Sequence, residues 1–253
     1  MELTSKDIEL GYWYHRPEED RPPKTINYPH EYTSGDRLSV VCTQLAIGSC
    51  QQRKLVEEWC RFLPGLETVS HLWLQSKVPQ SLFDAACQMA NLESLYVKWS
   101  GIKTIRYLPE APQLKALHIG SSPGIEDVER FAELDNLVVL GLENVKQLKD
   151  LRVIAELTQL QGLAIEGSLW TTYIVESLAP LTALQNLKYL FLTNLRSLDR
   201  TLKPLAALKS LETLRTAWWW PRSEFRMLRE SLPNLRHGNP LKDKDMEQYA
   251  KKG

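Results

Sequence analysis

The residues that could do chemistry are few in this sequence, and their spacing matches no catalytic motif. The five histidines are scattered along the chain: His15, His30, His71, His118 and His237. There is no HExxH metal motif, no GxGxxG or GxxxxGK[ST] phosphate loop and no GxSxG nucleophile motif. A single histidine at the centre of a strand, such as His118, is typical of a contact residue. We therefore predict no metal site and no cofactor.

The four cysteines also lack a chemical partner. They all lie in the first third of the chain: Cys42, Cys50, Cys60 and Cys87. No two are spaced as CxxC, and no histidine stands at a spacing typical of an activated thiol. We expect reduced thiols that behave as small buried hydrophobic groups, with a disulfide between two of them as the alternative.

Two glutamates 23 residues apart, Glu143 and Glu166, follow equivalent leucine-rich segments and are expected to meet on neighbouring strands. Paired carboxylates can act as general acid and base. No nucleophile or pocket accompanies this pair, so we predict that the protein is not an enzyme and takes no small-molecule substrate. Like charges on adjacent strands cost stability unless a cation approaches them. The pair therefore favours a surface that receives a lysine or arginine of a partner.

Composition restricts the class of partner and the compartment. In 253 residues, 31 lysines and arginines balance 31 aspartates and glutamates, which argues against a dedicated nucleic-acid binder. An apolar content of 43% with 25% charged residues is typical of a folded chain. The first ten residues contain no apolar signal segment, and no later stretch has 18 consecutive apolar residues. We expect a cytoplasmic protein that does not bind membranes.

The elements that position these residues follow from an internal repeat. An apolar pattern recurs seven times, and its third apolar position falls at residues 72, 95, 117, 140, 163, 190 and 214. The steps between these positions are 23, 22, 23, 23, 27 and 24 residues. In each copy a pair of apolar residues alternates with other types, as in a strand with one buried face. A second apolar series at spacing three or four predicts a short helical or 3₁₀ turn.

The pattern resembles the leucine-rich repeat family, in bacterial-type copies of about 23 residues, from Leu63 to His237. The resemblance implies an α/β fold: a right-handed solenoid with a parallel sheet on its concave face and short helical or 3₁₀ turns on its convex face. The family often places asparagine or cysteine five residues after the third leucine. Serine holds that position in three copies, and we expect Asn144 and Asn194, one position earlier, to replace it in two others.

Three regions follow from this frame. Residues 1–62 form an N-terminal arm and a cap, with a strand over 38–47 and a helix over 51–62. Residues 63–238 form seven to eight repeats, and residues 239–253 form a charged tail. The aromatic run at residues 12–14 either lies over the first strand or binds a partner. In the run of three tryptophans at 218–220, Trp219 holds the turn position and is expected to enter the core.

The predicted concave face carries the candidate site. The residue between the two apolar positions of each strand should lie at mid-face, where aromatic side chains flank a shallow centre of Gly141, Gly162 and Ala164. We expect the flanking side chains to face solvent and to bind a partner protein. The candidate binding residues are Trp73, Tyr96, Lys98, His118, Glu143, Glu166, Tyr189, Phe191 and Arg215.

These expectations favour a non-enzymatic protein-interaction module, a monomer or a heterodimer with its partner. From residue 126 to residue 166, nine acidic side chains face four basic ones, and from 196 to 236 the numbers are reversed. Such a charge dipole steers a partner. Small repeat proteins of this kind suggest an immunity protein that neutralises a cognate toxin. An effector or adaptor that recruits a cellular target is the alternative.

Overall fold

The structure, a computed structural model, describes residues 22–168 and 171–242, and its centre is a parallel sheet of nine strands. The strands of this sheet lie side by side in chain order: β1 (Arg37–Val40), β2 (His71–Val78), β3 (Ser94–Ser100), β4 (Ala116–Ile119), β5 (Val139–Glu143), β6 (Gly162–Glu166), β8 (Tyr189–Leu192), β10 (Thr213–Thr216) and β11 (His237–Gly238). Sequential neighbours in a parallel sheet confirm the predicted stack of equivalent repeats.

Short turns and helices connect these strands on the side of the core. Five are 3₁₀ turns or a single helical turn: Leu108–Glu110, Val128–Glu133, α3 (Arg152–Ala155), Ala179–Ala183 and Lys203–Ala207. Three helices are longer: α1 (Ser49–Phe62), α2 (Gln80–Cys87) and α4 (Arg222–Ser231). The predicted short outer turns are thus confirmed in the middle repeats. The first and last repeats carry longer helices, which cover more apolar surface at the two ends.

One continuous core runs through the stack. The third apolar position of every copy is fully buried and pairs in register with its neighbours, as Leu117 does with Leu140 and Leu140 with Leu163. The second residue of each apolar pair, such as Leu142, also joins this core. A single repeat of about 23 residues cannot bury such a row alone, so each strand depends on the two strands beside it.

Polar side chains tie each repeat to the one before it. Four asparagines, each just before a core leucine, donate from Nδ2 to a backbone carbonyl of the preceding repeat: Asn91 to Glu67 (2.7 Å), Asn136 to Pro112 (3.0 Å), Asn186 to Thr158 (2.9 Å) and Asn234 to Lys209 (2.9 Å). These bonds satisfy carbonyl groups that the turns leave without a ladder partner. The sequence analysis did not identify this asparagine position.

The turns after the strands behave as expected at two asparagines. Asn144 and Asn194 adopt left-handed backbone angles, with φ of 54° and 52°, which asparagine tolerates better than most residues. The amide of Asn194 donates to the carbonyl of Ser168 at 2.6 Å. Among the serines that replace the family's asparagine, the hydroxyls of Ser100 and Ser122 lie 2.6 Å apart in adjacent repeats.

The longest repeat and the tryptophan run differ from expectation. The 27-residue step contains β7 (Tyr173–Val175), which pairs with β9 (Leu195–Ser197) in a separate two-stranded sheet. The prediction that Trp219 enters the core is wrong, because Trp220 is the buried residue and Trp219 is exposed. The guanidinium of Arg196 lies 4.5 Å from the centre of the Trp219 ring and holds it on the surface.

The N-terminal cap is shorter in strand and longer in helix than predicted. The strand ends at Val40 instead of residue 47, and α1 begins at Ser49, where Gln51 accepts a hydrogen bond from the amide of Gly48. Of the four free thiols, Cys42 and Cys87 are buried, and burial raises the pKa of Cys42 to about 12. Cys50 is exposed, contrary to expectation.

The arm at residues 12–14 and most of the tail lie outside the described residues. Residues 239–242 at the start of the tail are described, and Asn239 there is buried and accepts a hydrogen bond from the amide of Thr216. Within the described ranges, no helix combines the length and the apolar character needed to cross a bilayer.

Replacement of Leu140 by aspartate should unfold the stack. The substitution places a charge without a partner in the middle of the leucine row, which we expect to cost more than about 4 kcal/mol. Circular dichroism and thermal denaturation provide the measurement. The matched control is Leu198→Asp, because Leu198 is 67% exposed and should tolerate the charge. A cooperative, wild-type-like transition for Leu140→Asp would contradict the shared core.

Candidate functional site

The candidate site is the open face of the nine-stranded sheet, which we define as the face turned away from the leucine core. Its central row contains the residue between the two apolar positions of each strand, in the order Ser39, Trp73, Tyr96, His118, Gly141, Ala164, Phe191 and Arg215. Because side chains alternate along a strand, the residues two positions before and after share this face. The predicted site residues therefore all lie on one surface.

The expected exposure of this surface is wrong for four of the nine predicted residues. Trp73, His118, Tyr189 and Phe191 are each 6% exposed or less. Tyr96, Glu143, Glu166 and Arg215 are half-buried, and only Lys98 among the nine is fully exposed. The periodicity of the strands identifies the face on which a residue lies, but it does not reveal whether other atoms lie over that face.

Aromatic side chains form pairs along the central row. The rings of Tyr96 and His118, on neighbouring strands, stack with centroids 4.7 Å apart and an angle of 13° between their planes. The guanidinium of Arg215 lies 5.3 Å from the centre of the Phe191 ring. Such pairs fix planar side chains in place and present flat apolar surfaces.

A trough lies between these two aromatic groups. Its floor consists of Val139 and Gly141 on β5 and of Gly162 and Ala164 on β6, which are paired in register. Tyr96 and His118 bound one side, and Tyr189 and Phe191 bound the other. The small floor residues confirm the predicted shallow centre, although Val139 and its neighbour Ala116 were not recognised as part of it.

The two glutamates are at one end of the trough, and their predicted pairing is confirmed. Glu143 and Glu166 are cross-strand partners on β5 and β6. Burial raises the pKa of both, that of Glu166 to about 7. A hydrogen bond from Thr193 and the charge of Arg215 act in the opposite direction on Glu166, and the charge of Glu143 adds to the increase. The pair therefore holds a proton, or attracts a cation, near neutral pH.

Gly120, at the end of β4, allows close packing beside this end of the trough. A Cβ atom at this position would lie 1.9 Å from the carbonyl oxygen of Lys98. Any side chain at residue 120 would therefore force the neighbouring strands apart.

The chemistry available to this surface is binding. Aromatic rings and small apolar floor residues accept an apolar side chain, and the glutamate pair accepts a cation. Among residues 22–168 and 171–242, no three histidine, cysteine, aspartate or glutamate side chains meet as metal ligands would. Sequence reasoning missed the stacking of Tyr96 and His118, which their shared row position in adjacent repeats could have indicated.

Comparison with known proteins gives a likeness of fold. No family model matches this sequence, and no curated protein matches it. The structure is similar to that of internalin C2 from Listeria monocytogenes strain 4b F2365, with a TM-score of 0.51 and 23% identity over 73% of this chain and 79% of that one. A second internalin from this strain has a TM-score of 0.47 and 19% identity, over 70% of this chain and 62% of that one.

The likeness to internalin C2 agrees with the repeated leucines and the parallel sheet. It identifies the fold of this chain as a leucine-rich-repeat solenoid, in which the open face is the predicted concave face.

Replacement of Glu166 by glutamine should change the pH dependence of stability. With a raised pKa, the folded protein keeps a proton that the unfolded chain releases, so stability falls as the pH rises from about 4.5 to about 7. Glutamine removes this loss. The variant should exceed wild type in free energy of unfolding at pH 8 by at most about 3 kcal/mol, with the difference vanishing near pH 4.5.

Urea denaturation at both pH values measures this difference. The control is Glu126→Gln, at an exposed glutamate in the neighbouring repeat, which should show no comparable gain. An equal difference between Glu166→Gln and wild type at both pH values would show that the carboxylate charge is not the cause.

Proposed function

We propose that this protein is a non-enzymatic interaction module that binds a partner protein through the open face of its sheet. The observation that supports the proposal is the combination of aromatic walls, an apolar floor and a half-buried glutamate pair on one continuous surface. Nine strands give this face a length of about 38 Å, enough for an interface of about 800 Å² per partner.

The charge of the site favours a basic group on the partner. Glu143 and Glu166 repel each other when both are ionised, and a lysine or arginine between them would relieve that cost. The reversal of charge between the acidic middle and the basic last repeats would orient a partner with the opposite dipole.

The finer form of the proposal is an immunity protein that binds a basic toxin in the cytoplasm and blocks it by occupying its surface. It rests on the acidic site and on the small size of the solenoid. Adaptor function would use the same face but would leave the bound partner active. An activity assay on the captured partner therefore separates the two.

Variants of the open face should lose the partner, whereas variants of the outer turns should not. Tyr96→Ala removes half of the stacked pair and should weaken binding by about 2 kcal/mol, mainly through faster dissociation. Glu143→Lys should weaken it further and alter its salt dependence, because an attraction becomes a repulsion. Quantitative affinity capture from the source cells, followed by measurement of the dissociation constant, tests both.

The matched control is the double variant Lys146→Glu and Lys149→Glu, which changes exposed charges in the turn that follows β5. A genuine partner is retained by wild type and by this control and is depleted by both open-face variants. If the outer variant loses the partner while the open-face variants keep it, the binding surface has been assigned to the wrong side.

A further inference from the structure

The apolar part of the open face is buried more completely than a free sheet surface. Val139 and Ala164, in the floor of the trough, have no exposed surface, and Tyr189 and Phe191 beside it are 4% exposed or less. These residues belong to two small apolar clusters that are separate from the leucine core. Side chains on the outer side of a sheet are buried in this way only when other atoms lie over them.

The neighbouring side chains on the strands are too small to provide that cover. Val139 has Ala116 on one side of its row and Gly162 on the other. A methyl group and a hydrogen atom cannot reach over a valine. The guanidinium of Arg215 covers one face of the Phe191 ring, beyond the floor of the trough. A further segment is needed above Val139 and Ala164.

The chain enters the described region at one edge of this same face. Ile26 forms a parallel bridge with Val40, so the residues around it continue the sheet beside β1. The hydroxyl of Thr25 lies 2.8 Å from that of Ser39, which stands in the central row two residues along from the edge at Val40's strand partner. The residues before Pro22 therefore approach the sheet from the side of the open face.

The preceding residues are long enough to reach the trough. Five strand spacings separate the position of Ile26 from β5, a distance of about 24 Å. Residue 13 precedes Thr25 by 12 positions in the sequence, and 12 residues span up to about 40 Å when extended.

The composition of this segment suits the trough. Tyr12, Trp13 and Tyr14 are three consecutive aromatic residues, and Arg16 follows them. Flat rings match a floor of glycine, alanine and valine between aromatic walls. A guanidinium near the end of the trough would neutralise the pair Glu143 and Glu166, whose burial already favours a cation there.

Two other segments outside the described ranges fit less well. Residues 169–170 are too few to extend across the floor from β6 to β4. Residues 243–253 contain seven charged side chains and one aromatic residue, Tyr249, which does not match an apolar floor.

We propose that residues 12–16 of this chain lie in the trough in the free protein, with their aromatic side chains over Val139 and Ala164 and with Arg16 toward the glutamate pair. The open face is then occupied by the protein itself. A partner that binds there must displace this segment, a consequence that rests on the proposed function, whereas the docking itself does not.

Photo-crosslinking of the full-length chain tests the docking directly. The photoreactive amino acid p-benzoylphenylalanine replaces Trp13, a substitution that keeps a large aromatic group at this position. We expect intramolecular crosslinks to peptides of β4, β5, β6 or β8, mapped by mass spectrometry. The matched control places the same amino acid at Trp219, which is exposed outside the open face and should give no crosslink to those peptides.

Three outcomes would overturn the proposal. They are crosslinks only to the helical side of the solenoid, crosslinks between two molecules, and the absence of crosslinks from position 13. Crosslinks between molecules would identify a second copy as the occupant. Crosslinks from position 249 to the trough, obtained with the same probe, would assign the cover to the C-terminal residues.

Hydroxyl-radical footprinting of the full-length variant Trp13→Ser provides a second measurement. Removal of the indole should increase the oxidation of Phe191 and Tyr189 severalfold, while the oxidation of core Leu140 stays at the wild-type level. Unchanged protection of Phe191 and Tyr189 would contradict the proposal. If core Leu140 also becomes reactive, the variant has unfolded, and Trp13→Phe, which keeps an aromatic ring, should then restore protection of all three residues; failure to do so would contradict the proposal as well.

Affinity for the captured partner separates this inference from the proposed function. With docking established by crosslinking, Trp13→Ser should bind the partner more tightly than wild type, because the competing segment is weakened. If crosslinking succeeds but no partner recognises the open face, the docking stands and the proposed function fails. If the partner binds but no crosslink forms, the reverse holds.

Discussion

The leucine rows of this protein can be buried only when every strand pairs in register with its neighbours. Each repeat offers about 23 residues and one apolar face, which is too little for a core of its own. A shift of one residue in any strand would turn its leucines outward, so the register is fixed by the core. The same constraint fixes the other face, where Glu143 meets Glu166 and Tyr96 meets His118. The candidate site is therefore a consequence of core packing.

The sequence was sufficient to predict what depends on periodicity. The leucine row, the pairing of the two glutamates and the small residues at the centre of the open face all follow from a repeat of about 23 residues. What depends on local turn geometry was less predictable: a difference of one position decides whether Trp219 or Trp220 enters the core. Burial of the open face was not predictable from periodicity, because alternation identifies the face of a residue and not the atoms above it.

The glutamate pair illustrates how a binding surface departs from the most stable arrangement. Two carboxylates on adjacent strands, partly removed from water, are unfavourable when both are charged, and the raised pKa of Glu166 expresses that cost. The leucine core is large enough to tolerate it. Natural proteins commonly place such unfavourable groups at functional surfaces, where a ligand compensates them.

The asparagine bonds between repeats have an implication for how such a chain changes in evolution. Each asparagine reaches back by one repeat only, from an equivalent donor to an equivalent acceptor. Excision or duplication of one complete unit would rejoin matching donors, acceptors and leucine rows. The length of the open face can therefore change in steps of one strand, about 4.8 Å, while the rest of the chain keeps its contacts. Gene segments that encode whole repeats thus become interchangeable parts, and the reach of the binding surface becomes a property that recombination can adjust.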